Sequence, residues 1–503
     1  MIKKVLIANR GEIAVRVMRS CREMGLRTVA VFSDADRASR HVMYADEAYC
    51  IGPAESRESY LNIDKIINVA LQCKADAVHP GYGFLSENAE FVRCCEAAGL
   101  VFIGPRAETM EAMGDKISAR KRMIGAGVPV VPGTTEPLKN ADEALRICNE
   151  IGYPVMLKAS MGGGGKGMRL IHSAEEVKEA YDAARSESMS SFGDDTVYLE
   201  KFVEEPHHIE FQILGDEYGN VVHLYDRECS VQRRNQKIVE ESPSPFLTPE
   251  LRREMGAKAV AAAKAVNYRG AGTIEFLVDK YRNFYFLEMN TRLQVEHPIT
   301  EEVLGVDLVK EQLRVANGEK LRFRQEDLFQ RGHAIECRIC AEDTENGFIP
   351  CPGVIRQLTE PNGIGVRIDS YVYEGYEIPL YYDPMIGKLI VWATTRQFAI
   401  ERMRRVLYEF KITGLKTNLS YLRRIMYAPA FVKGEYDTSF LEKYSRSLQR
   451  TNGDNEEIEN MALIAAYVDY LFNLEENSPV RVADARPISR WREFGLQKGV
   501  LRI

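Results

Sequence analysis

The stretch TIEFLVDKYRNFYFLEMN, residues 273–290, decides the fold prediction for this chain. Apolar, β-branched and aromatic residues on both sides of a polar segment are typical of two strands joined by a turn. We therefore predict a hairpin with arms at 273–279 and 284–290 and a four-residue turn at 280–283. The cross-strand pairs in this register are Asp279 with Phe284, Leu277 with Phe286, and Glu275 with Glu288.

Glu275 and Glu288 are the most specific feature of this hairpin, because the predicted register places the two carboxylates opposite each other. Cβ atoms of directly opposed residues lie about 4.5–5.5 Å apart, and like charges there destabilise a sheet unless something neutralises them. A solvated sheet face is the alternative, but Phe284 and Phe286 fit poorly on a fully wet face. Mg²⁺ and Mn²⁺ prefer oxygen ligands, and Asn290 projects from the same face. The hairpin therefore predicts a metal site.

Polar residues follow the hairpin in the segment NTRLQVEHP, residues 290–298. The planar guanidinium of Arg292 matches a small planar anion, and Glu296 is a candidate base beside it. An Arg–Glu ion pair in a loop is the alternative interpretation of this segment alone. The segment QRRNQK, residues 232–237, holds three cations and fits an exposed basic turn as well as a binding site.

Four consecutive glycines occupy residues 162–165, between β-type segments at 155–159 and 168–171. This pattern predicts a hairpin with a glycine tip. Glycine backbones can close over a polyphosphate, and Lys166 adds a cation. A flexible surface loop is the alternative. The P-loop motif G-x-x-x-x-G-K-[ST] does not fit the segment.

The chain begins with an α/β pattern. Strands predicted at 3–8 and 28–32 flank a helix at 13–24, which is typical of a parallel βαβ unit. The G-x-G-x-x-G fingerprint is absent from the first βα turn, so a nicotinamide cofactor is not supported. Alternating segments between residues 204 and 444 predict a larger, sheet-rich unit, and the overall fold class is α/β together with α+β.

Arg338 lies on a predicted strand, AIECRIC, residues 334–340. Alternation places Ile335, Cys337 and Ile339 on one face and Glu336, Arg338 and Cys340 on the other. Because the two cysteines point apart, the strand does not predict a zinc or redox pair.

The last part of the sequence combines a polar, turn-forming segment at 449–457 with an amphipathic pattern at 458–472. The polar segment is typical of a solvated linker, and the pattern predicts a helix with one apolar face to bury, in cis or on a partner. The apolar run from Met461 to Phe472 is interrupted by Asp469 and is shorter than the roughly 20 residues of a membrane span.

The composition excludes several classes of protein. With 503 residues, 45% hydrophobic and 28% charged, the chain is ordinary globular material of several domains. The net charge of −7 argues against a general nucleic-acid binder. Ten irregularly spaced cysteines fit reduced thiols in the cytoplasm better than disulfides, and the short first apolar run does not resemble a signal peptide.

Six segments in order between residue 1 and about 446 together resemble the biotin carboxylase family. They are IANRGEI at 7–13, HPGYG at 79–83, MGDK at 113–116, Lys158-Ala159 followed by Gly162–Gly167, QRRNQK at 232–237, and EMNTRLQVEH at 288–297. The domains implied by this resemblance are an N-terminal Rossmann-like domain at 1–112, an ATP-grasp lid at 113–203, an ATP-grasp core at 204–330, a C-terminal biotin carboxylase domain at 331–446, and a linker with a helical tail at 447–503.

The resemblance also implies a reaction. ATP phosphorylates bicarbonate to carboxyphosphate, which decomposes to CO₂ and phosphate beside biotin. The residues that would bind the nucleotide are Lys116, Lys158, Gly164, Gly165, Glu200, Lys201, Val203, His208, Gln232 and Asn235. Asn235 stands where well-known bacterial members carry a histidine.

The same resemblance assigns the remaining site residues. Glu275 and Glu288, with Asn290, would hold two Mg²⁺ or Mn²⁺ ions. The bicarbonate-binding residues would be Lys237, Arg292, Gln294 and Val295. Glu296 would deprotonate bicarbonate, and Arg338 would stabilise the biotin enolate.

The sequence contains no Ala-Met-Lys-Met biotin-attachment site, so biotin is expected on a separate biotin carboxyl carrier protein. The expected partners are this carrier, a second copy of the chain and a carboxyltransferase subunit. The acceptor would be acetyl-CoA or propionyl-CoA, with a two-subunit pyruvate carboxylase as the alternative. A carbamoyl-phosphate synthetase-like ligase would need a second ATP unit, and a catalytically silent assembly subunit is the alternative of another class.

Overall fold

A five-stranded parallel sheet forms the N-terminal region of the chain. The computed structural model describes residues 1–134, 136–159, 168–192 and 195–449, together with Met461, residues 463–468 and Tyr470. The first elements are β1 (Lys4–Ile7), α1 (Gly11–Glu23), β2 (Arg27–Ser33), α2 (Arg40–Tyr44), β3 (Glu47–Gly52), α3 (Ile63–Gln72), β4 (Ala77–His79), α4 (Ala89–Ala97), β5 (Val101–Phe102) and α5 (Ala107–Gly114).

The strand order in this sheet is β3-β2-β1-β4-β5, and every neighbouring pair is parallel. Strand β1 lies at the centre, and its residues Val5, Leu6 and Ile7 are fully buried. A parallel strand covered on both faces is expected to be continuously apolar, as this one is. The predicted βαβ unit is confirmed.

A small antiparallel sheet follows, with strand order β7-β6-β8. The elements of this region are α6 (Lys116–Gly125), α7 (Ala141–Ile151), β6 (Val155–Ala159), β7 (Met168–Ile171), α8 (Val177–Phe192) and β8 (Val197–Lys201). Val155, Leu157 and Leu199 pack against Ala144 and Cys148 of α7. The two strands of the predicted glycine-tipped hairpin are confirmed, whereas its tip at 162–165 lies outside the described residues.

The third region supplies five strands of a larger sheet. Its elements are β9 (His207–Gly215), β10 (Val221–Arg233), β11 (Gln236–Ser242), α9 (Pro249–Ala265), β12 (Gly270–Val278), β13 (Phe284–Asn290), α10 (His297–Leu304) and α11 (Leu308–Ala316). The strands are antiparallel to their neighbours, in the order β13-β12-β9-β10-β11.

The C-terminal region continues the same sheet through β14, β21 and β19, to eight strands in all. Its elements are β14 (His333–Cys340), β15 (Glu342–Asp343), β16 (Ile349–Pro350), β17 (Gly353–Val354), β18 (Gln357–Thr359), β19 (Val366–Ser370), β20 (Glu377–Ile378), β21 (Met385–Ala393), α12 (Arg396–Glu409), β22 (Lys411–Thr413), α13 (Leu419–Tyr427), α14 (Pro429–Lys433), α15 (Phe440–Lys443) and α16 (Ser445–Leu448). Side chains from residues far apart in sequence therefore share one sheet face.

The hairpin of β12 and β13 is confirmed, but half of its predicted register is wrong. The observed pairs below the bulge are Val278 with Phe284, Leu277 with Tyr285, and Phe276 with Phe286. The connection from Asp279 to Asn283 is closed by the Asp279 N–H, which donates to the Asn283 carbonyl at 2.9 Å. A one-residue shift at Leu287 then restores the predicted pairing of Glu275 with Glu288.

Strand β14 shows the predicted alternation. Ile335, Cys337 and Ile339 are fully buried in the apolar core that α12 and α13 complete. Glu336 and Arg338 occupy the intervening positions of the strand. The described residues include all ten cysteines, and each is a free thiol.

Met1–Leu448 forms one compact unit, and Gln449–Ile503 a second. Of the second unit, Met461, residues 463–468 and Tyr470 are described, and most of them are helical with exposed side chains. The predicted tail helix is thus present in this part, while its ends at Ile458 and Phe472, and the linker from Arg450 onward, lie outside the described residues. Among the helices described, none has the length and apolar character needed to cross a membrane.

Candidate functional site

Lys237 lies at the centre of three buried carboxylates. Its Nζ is 2.6 Å from Oε2 of Glu210, 3.1 Å from Oε1 of Glu275 and 2.5 Å from Oε1 of Glu296. Burial lowers the pKa of a lysine, but the three carboxylates outweigh burial and raise the pKa of Lys237 well above its ordinary value. The cation therefore stays charged and holds three strands and one loop together at the site.

Glu296 bridges two cations just before α10. Its Oε1 accepts from Lys237, and its Oε2 accepts from Nη2 of Arg338 at 2.9 Å. Burial raises the pKa of a carboxyl, but Lys237, Arg338 and Arg227 outweigh it and hold the pKa of Glu296 well below its usual range. Glu296 is therefore ionised at neutral pH.

Glu275 is buried at the floor of the site. Its oxygens accept from His208 Nε2 at 2.8 Å, Asn290 Nδ2 at 2.9 Å and Gln294 Nε2 at 2.7 Å. Burial would raise its pKa, but Lys237 and His208 lower it well below the ordinary value. Glu275 therefore offers a charged oxygen ligand.

The residues around Glu275 fit a divalent cation. Glu288 lies directly opposite Glu275 in the ladder and is exposed, so its carboxylate is accessible from the open side of the sheet. Atoms of His208, Glu210 and Glu275 also lie within 4.8 Å of one another. These mostly hard oxygen donors suit Mg²⁺ or Mn²⁺.

Arg292 projects from the loop after β13. Its Nε donates to Oε2 of Glu87 at 2.9 Å, and its Nη2 donates to Oδ1 of Asn290 at 2.8 Å. The predicted anion-binding arginine thus lies beside the predicted metal ligand Asn290. Glu87 comes from the N-terminal region and was not predicted.

Arg227 is fully buried and donates to five side chains, and it was not among the predicted site residues. Its guanidinium donates to Gln212 at 2.7 Å, Gln294 at 2.7 Å and Thr273 at 3.1 Å, and also to Glu210 and Thr300. Five acceptors match the five N–H donors of an arginine. Arg227 therefore fixes the side chain of Gln294 from beneath the site.

Lys388 is a second buried cation that was not predicted. Its Nζ donates to the carbonyl of Val295 at 3.0 Å and lies 3.2 Å from Oε2 of Glu12. Its side chain is fully buried on β21. The peptide between Val295 and Glu296 is therefore held by a charge-assisted hydrogen bond.

The predicted nucleotide-binding residues on β6 and β8 form a separate group. Lys158 is paired with Glu200, which lies 3.7 Å from Arg120. Lys201 donates to the carbonyls of Gly152 and Tyr153 at 2.8 Å each. Val203 follows β8 in the chain. Lys116 is the first residue of α6, and Gly164 and Gly165 lie outside the described residues.

Gln232 and Asn235 belong to the β10–β11 hairpin. Arg233 pairs with Gln236, so Arg234 and Asn235 form a two-residue turn with φ of 49° and 63°. Asparagine tolerates this left-handed region better than most residues. The asparagine at 235 is thus compatible with a tight turn, and its side chain is exposed.

The structure therefore brings together, around Lys237, the predicted residues His208, Glu275, Asn290, Gln294, Glu296 and Arg338, with Glu288 and Arg292 beside them. It adds Glu210, Arg227, Glu240 and Lys388. A sequence signal for Glu210 existed, because His208, Glu210 and Gln212 alternate with apolar residues along β9.

Three family models match the chain. Residues 1–110 match the biotin carboxylase N-terminal domain, residues 115–324 the ATP-binding domain of the carbamoyl-phosphate synthase L chain, and residues 336–443 the biotin carboxylase C-terminal domain. Together these matches cover most of the chain and the whole of the site.

Curated relatives and solved structures agree with the family models. The chain is 56% identical over 448 residues to a pyruvate carboxylase subunit of Methanothermobacter thermautotrophicus, covering 89% of this chain and 91% of the relative. It is 55% identical over 443 residues to the biotin carboxylase of Nostoc sp., covering 88% and 99%.

Two similar solved structures are complexes with a nucleotide, and one of them also contains bicarbonate. The biotin carboxylase domain dimer of Hydrogenobacter thermophilus 2-oxoglutarate carboxylase, in complex with MgADP, ADP and bicarbonate, matches with a TM-score of 0.83 and 50% identity, covering 90% of this chain and 100% of that one. The biotin carboxylase of Campylobacter jejuni matches with a TM-score of 0.83 and 49% identity, covering 88% and 99%.

Proposed function

Because the chain belongs to the biotin carboxylase family and catalyses the ATP-dependent carboxylation of biotin, we propose that the cluster around Lys237 is its active site. The enzyme is an ATP-grasp ligase that uses ATP, Mg²⁺ and bicarbonate. The observation that carries the proposal is the position of Glu296, a buried, ionised carboxylate between Lys237 and Arg338. The positive charges of Lys237 and Arg338 beside this carboxylate suit a reaction between two anionic substrates, bicarbonate and ATP.

Glu296 acts as the base in the first step. Bicarbonate lies between Lys237, Arg292, Gln294 and the backbone of Val295, where charged and amide donors surround a planar anion. The proton of bicarbonate passes to Glu296, and the freed oxygen attacks the γ-phosphorus of ATP, so that carboxyphosphate forms and ADP leaves. Carboxyphosphate then breaks down to CO₂ and phosphate.

Arg338 acts in the second step. The phosphate released in the first step takes the N–H proton of the biotin ureido ring, which leaves negative charge on the ureido oxygen, and a fixed guanidinium stabilises that charge. The ureido nitrogen then adds to CO₂, so that carboxybiotin forms and the negative charge passes to its carboxylate. The donors of Arg338 to Glu296 and Glu240 hold the guanidinium in place. Its partly exposed position leaves it accessible to a substrate.

Glu275, Glu288 and Asn290 would hold the divalent cation, which supplies charge neutralisation to the phosphates of ATP when bound. Two ions, Mg²⁺ or Mn²⁺, are part of the proposal. The opposed carboxylates of Glu275 and Glu288 support it. His208 positions Glu275 through the 2.8 Å hydrogen bond.

The nucleotide would lie between the small sheet and the large one. Lys158 and Glu200 support this placement because they form an ion pair across β6 and β8, and Lys201 and Val203 follow Glu200 along the chain. The other proposed nucleotide contacts are Lys116, Gly164, Gly165, His208, Gln232 and Asn235. The domain limits 1–112, 113–203, 204–330, 331–446 and 447–503 are proposed with these roles.

Biotin is carried on a partner protein. We infer a separate biotin carboxyl carrier protein and a carboxyltransferase subunit, with a homodimer of this chain, since dimeric relatives are known in crystals. The acceptor proposed is acetyl-CoA or propionyl-CoA. Pyruvate is the alternative, since one relative is part of a pyruvate carboxylase. A cytoplasmic location is proposed from the ten free thiols.

The test is ADP release by the purified chain with ATP, Mg²⁺, bicarbonate and free biotin. Release that depends on both bicarbonate and biotin is expected. Release that depends on ammonia instead, or no turnover at all, would contradict the proposal. A pull-down that identifies the biotinylated partner, followed by carboxylation assays with acetyl-CoA, propionyl-CoA and pyruvate, identifies the acceptor.

A further inference from the structure

Glu336 on β14 is a fully buried carboxyl with no hydrogen-bond partner for either oxygen among the described residues. The neighbouring strand β11 carries Glu240, also fully buried, whose Oε2 likewise has no partner in the described chain. An ionised carboxylate with no donor to either oxygen, as at Glu336, is strongly disfavoured because nothing replaces its lost hydration. The position of Glu336 beside a second buried carboxyl therefore needs a physical explanation.

The register places the two carboxyls together. Glu240 and Glu336 are directly opposite each other in the antiparallel pair of β11 and β14. Their Cβ atoms are therefore expected about 4.5–5.5 Å apart, within reach of a hydrogen bond between carboxyl groups. Glu240 also accepts from Nε of Arg338 through Oε1 at 2.6 Å. One oxygen of Glu240 is thus engaged, and the other is available to Glu336.

The charged groups that face Glu336 come from three strands and a loop. They are Glu240 on β11, Arg338 on β14, Lys388 on β21 and Glu296 before α10. Lys388 directs its Nζ to Val295 and Glu12, and Arg338 donates to Glu240 and Glu296. Neither cation therefore donates to Glu336, and within the described part of the chain the donor that remains for this pair is a carboxyl proton.

The electrostatics agree with this geometry. Burial raises the pKa of Glu336 well above its ordinary value, and the charge of Glu240 raises it further against the effect of Lys388. Burial also raises the pKa of Glu240, to about 7, although Arg338 opposes it. Of the two, Glu240 has the direct arginine partner and is the one that ionises.

We propose that Glu336 keeps its proton at neutral pH and donates it to Glu240, so that a carboxyl–carboxylate pair fixes the guanidinium of Arg338. Glu336 is in this sense a positioning residue, which acts on Arg338 through Glu240. The pair leaves one negative charge, not two, beside the arginine. The expected effect on biotin carboxylation rests on the function proposed above for Arg338. The protonation of Glu336 is independent of that function.

Infrared difference spectroscopy on the full-length protein tests the proton itself. A protonated buried carboxyl gives a C=O stretching band separate from that of carboxylates, and this band is expected to disappear in Glu336→Gln. The matched control is Glu311→Gln, because Glu311 is equally buried but is held by Arg314 and Arg322 as a carboxylate. The control variant should keep the band.

Kinetics test the positioning. Glu336→Leu removes the donor and leaves a buried acceptor of Glu240 unsatisfied, which should lower the ratio of biotin carboxylation to biotin-independent, bicarbonate-dependent ATP hydrolysis about tenfold. Glu336→Gln restores a neutral donor and should recover most of that ratio. Nucleotide affinity should be the same in both variants, since neither changes the ATP site.

Persistence of the infrared band in Glu336→Gln would overturn the proposal. An equally low rate ratio in Glu336→Gln and Glu336→Leu would also overturn the proposal, because the site would then require an ionised Glu336. If Glu336→Leu does not fold, the band and the rate ratio of Glu336→Gln decide alone. The band could be lost in Glu336→Gln while the rate ratio of Glu336→Leu is unchanged. That result would support the protonation of Glu336 but refute its positioning of Arg338. These outcomes are separate from failure of the proposed function, in which the unaltered chain would show no biotin-dependent turnover.

Discussion

Glu275 lies directly opposite Glu288 because Leu287 forms a one-residue bulge in β13. On either side of the bulge, Phe286 and Met289 both face the apolar core. In a strictly alternating strand Phe286, Glu288 and Asn290 would all lie on one face. The extra residue lets Phe286 and Met289 share the core face while Glu288 and Asn290 lie on the opposite face. The bulge therefore aims two proposed metal ligands at the site while the ribbon keeps its apolar anchors.

Glu296→Gln is expected to abolish biotin carboxylation, by a factor of about 10² or more, because the amide cannot accept the bicarbonate proton. ATP should still bind, since Glu296 is engaged with Lys237 and Arg338. Bicarbonate-dependent ADP release and nucleotide titration measure the two effects. Glu319→Gln, at an exposed position, serves as the control. Unchanged turnover would remove Glu296 from the role of base.

Arg338→Ala is expected to lower the carboxylation rate by about 10²–10³, the effect of removing one preorganised donor to a developing oxyanion. Steady-state rates with free biotin measure this loss. Arg324→Ala provides the control, because Arg324 is 79% exposed and pairs only with Asp327 among the described residues. A rate near that of the unaltered enzyme would exclude Arg338 from the mechanism.

Lys388→Met is expected to raise the KM for bicarbonate several-fold with a smaller effect on the KM for ATP. The substitution removes the donor that holds the Val295 carbonyl. Lys416→Met, a surface ion-pair variant, is the control.

The double variant Lys388→Met/Glu12→Gln separates positioning from charge, because it removes the ion pair as a whole. A raised KM in the double variant supports positioning of the peptide. Recovery of the ordinary KM would show that the unpaired charge of Glu12 was the cause.

Glu241→Gln should destabilise the protein at neutral pH by about 3 kcal/mol. Burial opposes ionisation of Glu241, but Arg396 and His333 lower its pKa from 4.5 to about 2. A lowered pKa stabilises the folded state above the unfolded value, and this stabilisation is lost as the pH falls from about 4.5 toward 2. Urea midpoints of the two proteins should differ equally at pH 7 and pH 5.5 and converge below pH 4.

The control for that experiment is Glu409→Gln, which removes an exposed i,i+4 ion pair with Arg405. Such pairs contribute little, so its urea midpoint should follow that of the unaltered protein at every pH. A gap between Glu241→Gln and the unaltered protein that widens on acidification would contradict the assigned sign.

Removal of the residues after Gln449 should spare carboxylation of free biotin but weaken assembly with the partner proteins. The truncation retains Leu448, because this side chain is buried in the core of the first compact unit. In the second unit, Leu463, Ile464 and Tyr467 are exposed on a helix and provide apolar surface. Co-purification with the proposed carrier and carboxyltransferase measures assembly, and normal co-purification of the truncated chain would refute the idea.

Periodicity predicted the positions of some of the site residues that lie on strands. Glu275 and Glu288 followed from a hairpin, and the face of Arg338 followed from alternation along β14. The predicted register between Phe276 and Asp279 was wrong because a bulge and a longer turn compensate for each other. Neither the bulge nor the turn contains a residue type from which it could be predicted. The predicted pairing of Glu275 with Glu288 nevertheless holds.

The residues that sequence reasoning missed are charged residues within strands. Lys388 is the one charged residue of β21, whereas Arg227 and Glu240 have charged neighbours in β10 and β11. Arg227, Glu240 and Lys388 have no motif of their own, and their partners lie on other strands or loops. Lys388 and Val295, for example, are 93 residues apart. The charge of such a residue indicates a buried partner, but only the strand order identifies which partner it is.

The separation of the three-stranded antiparallel sheet from the eight-stranded one has a consequence for local unfolding. Strands β6, β7 and β8 form a ladder distinct from the eight-stranded one, with an apolar cluster of their own. Amide protons of the smaller ladder are therefore expected to exchange with solvent through an opening that leaves the larger ladder intact. The free energy of opening the site to a nucleotide would then depend on this small cooperative unit. The cluster around Lys237 would remain in the most slowly exchanging part of the molecule.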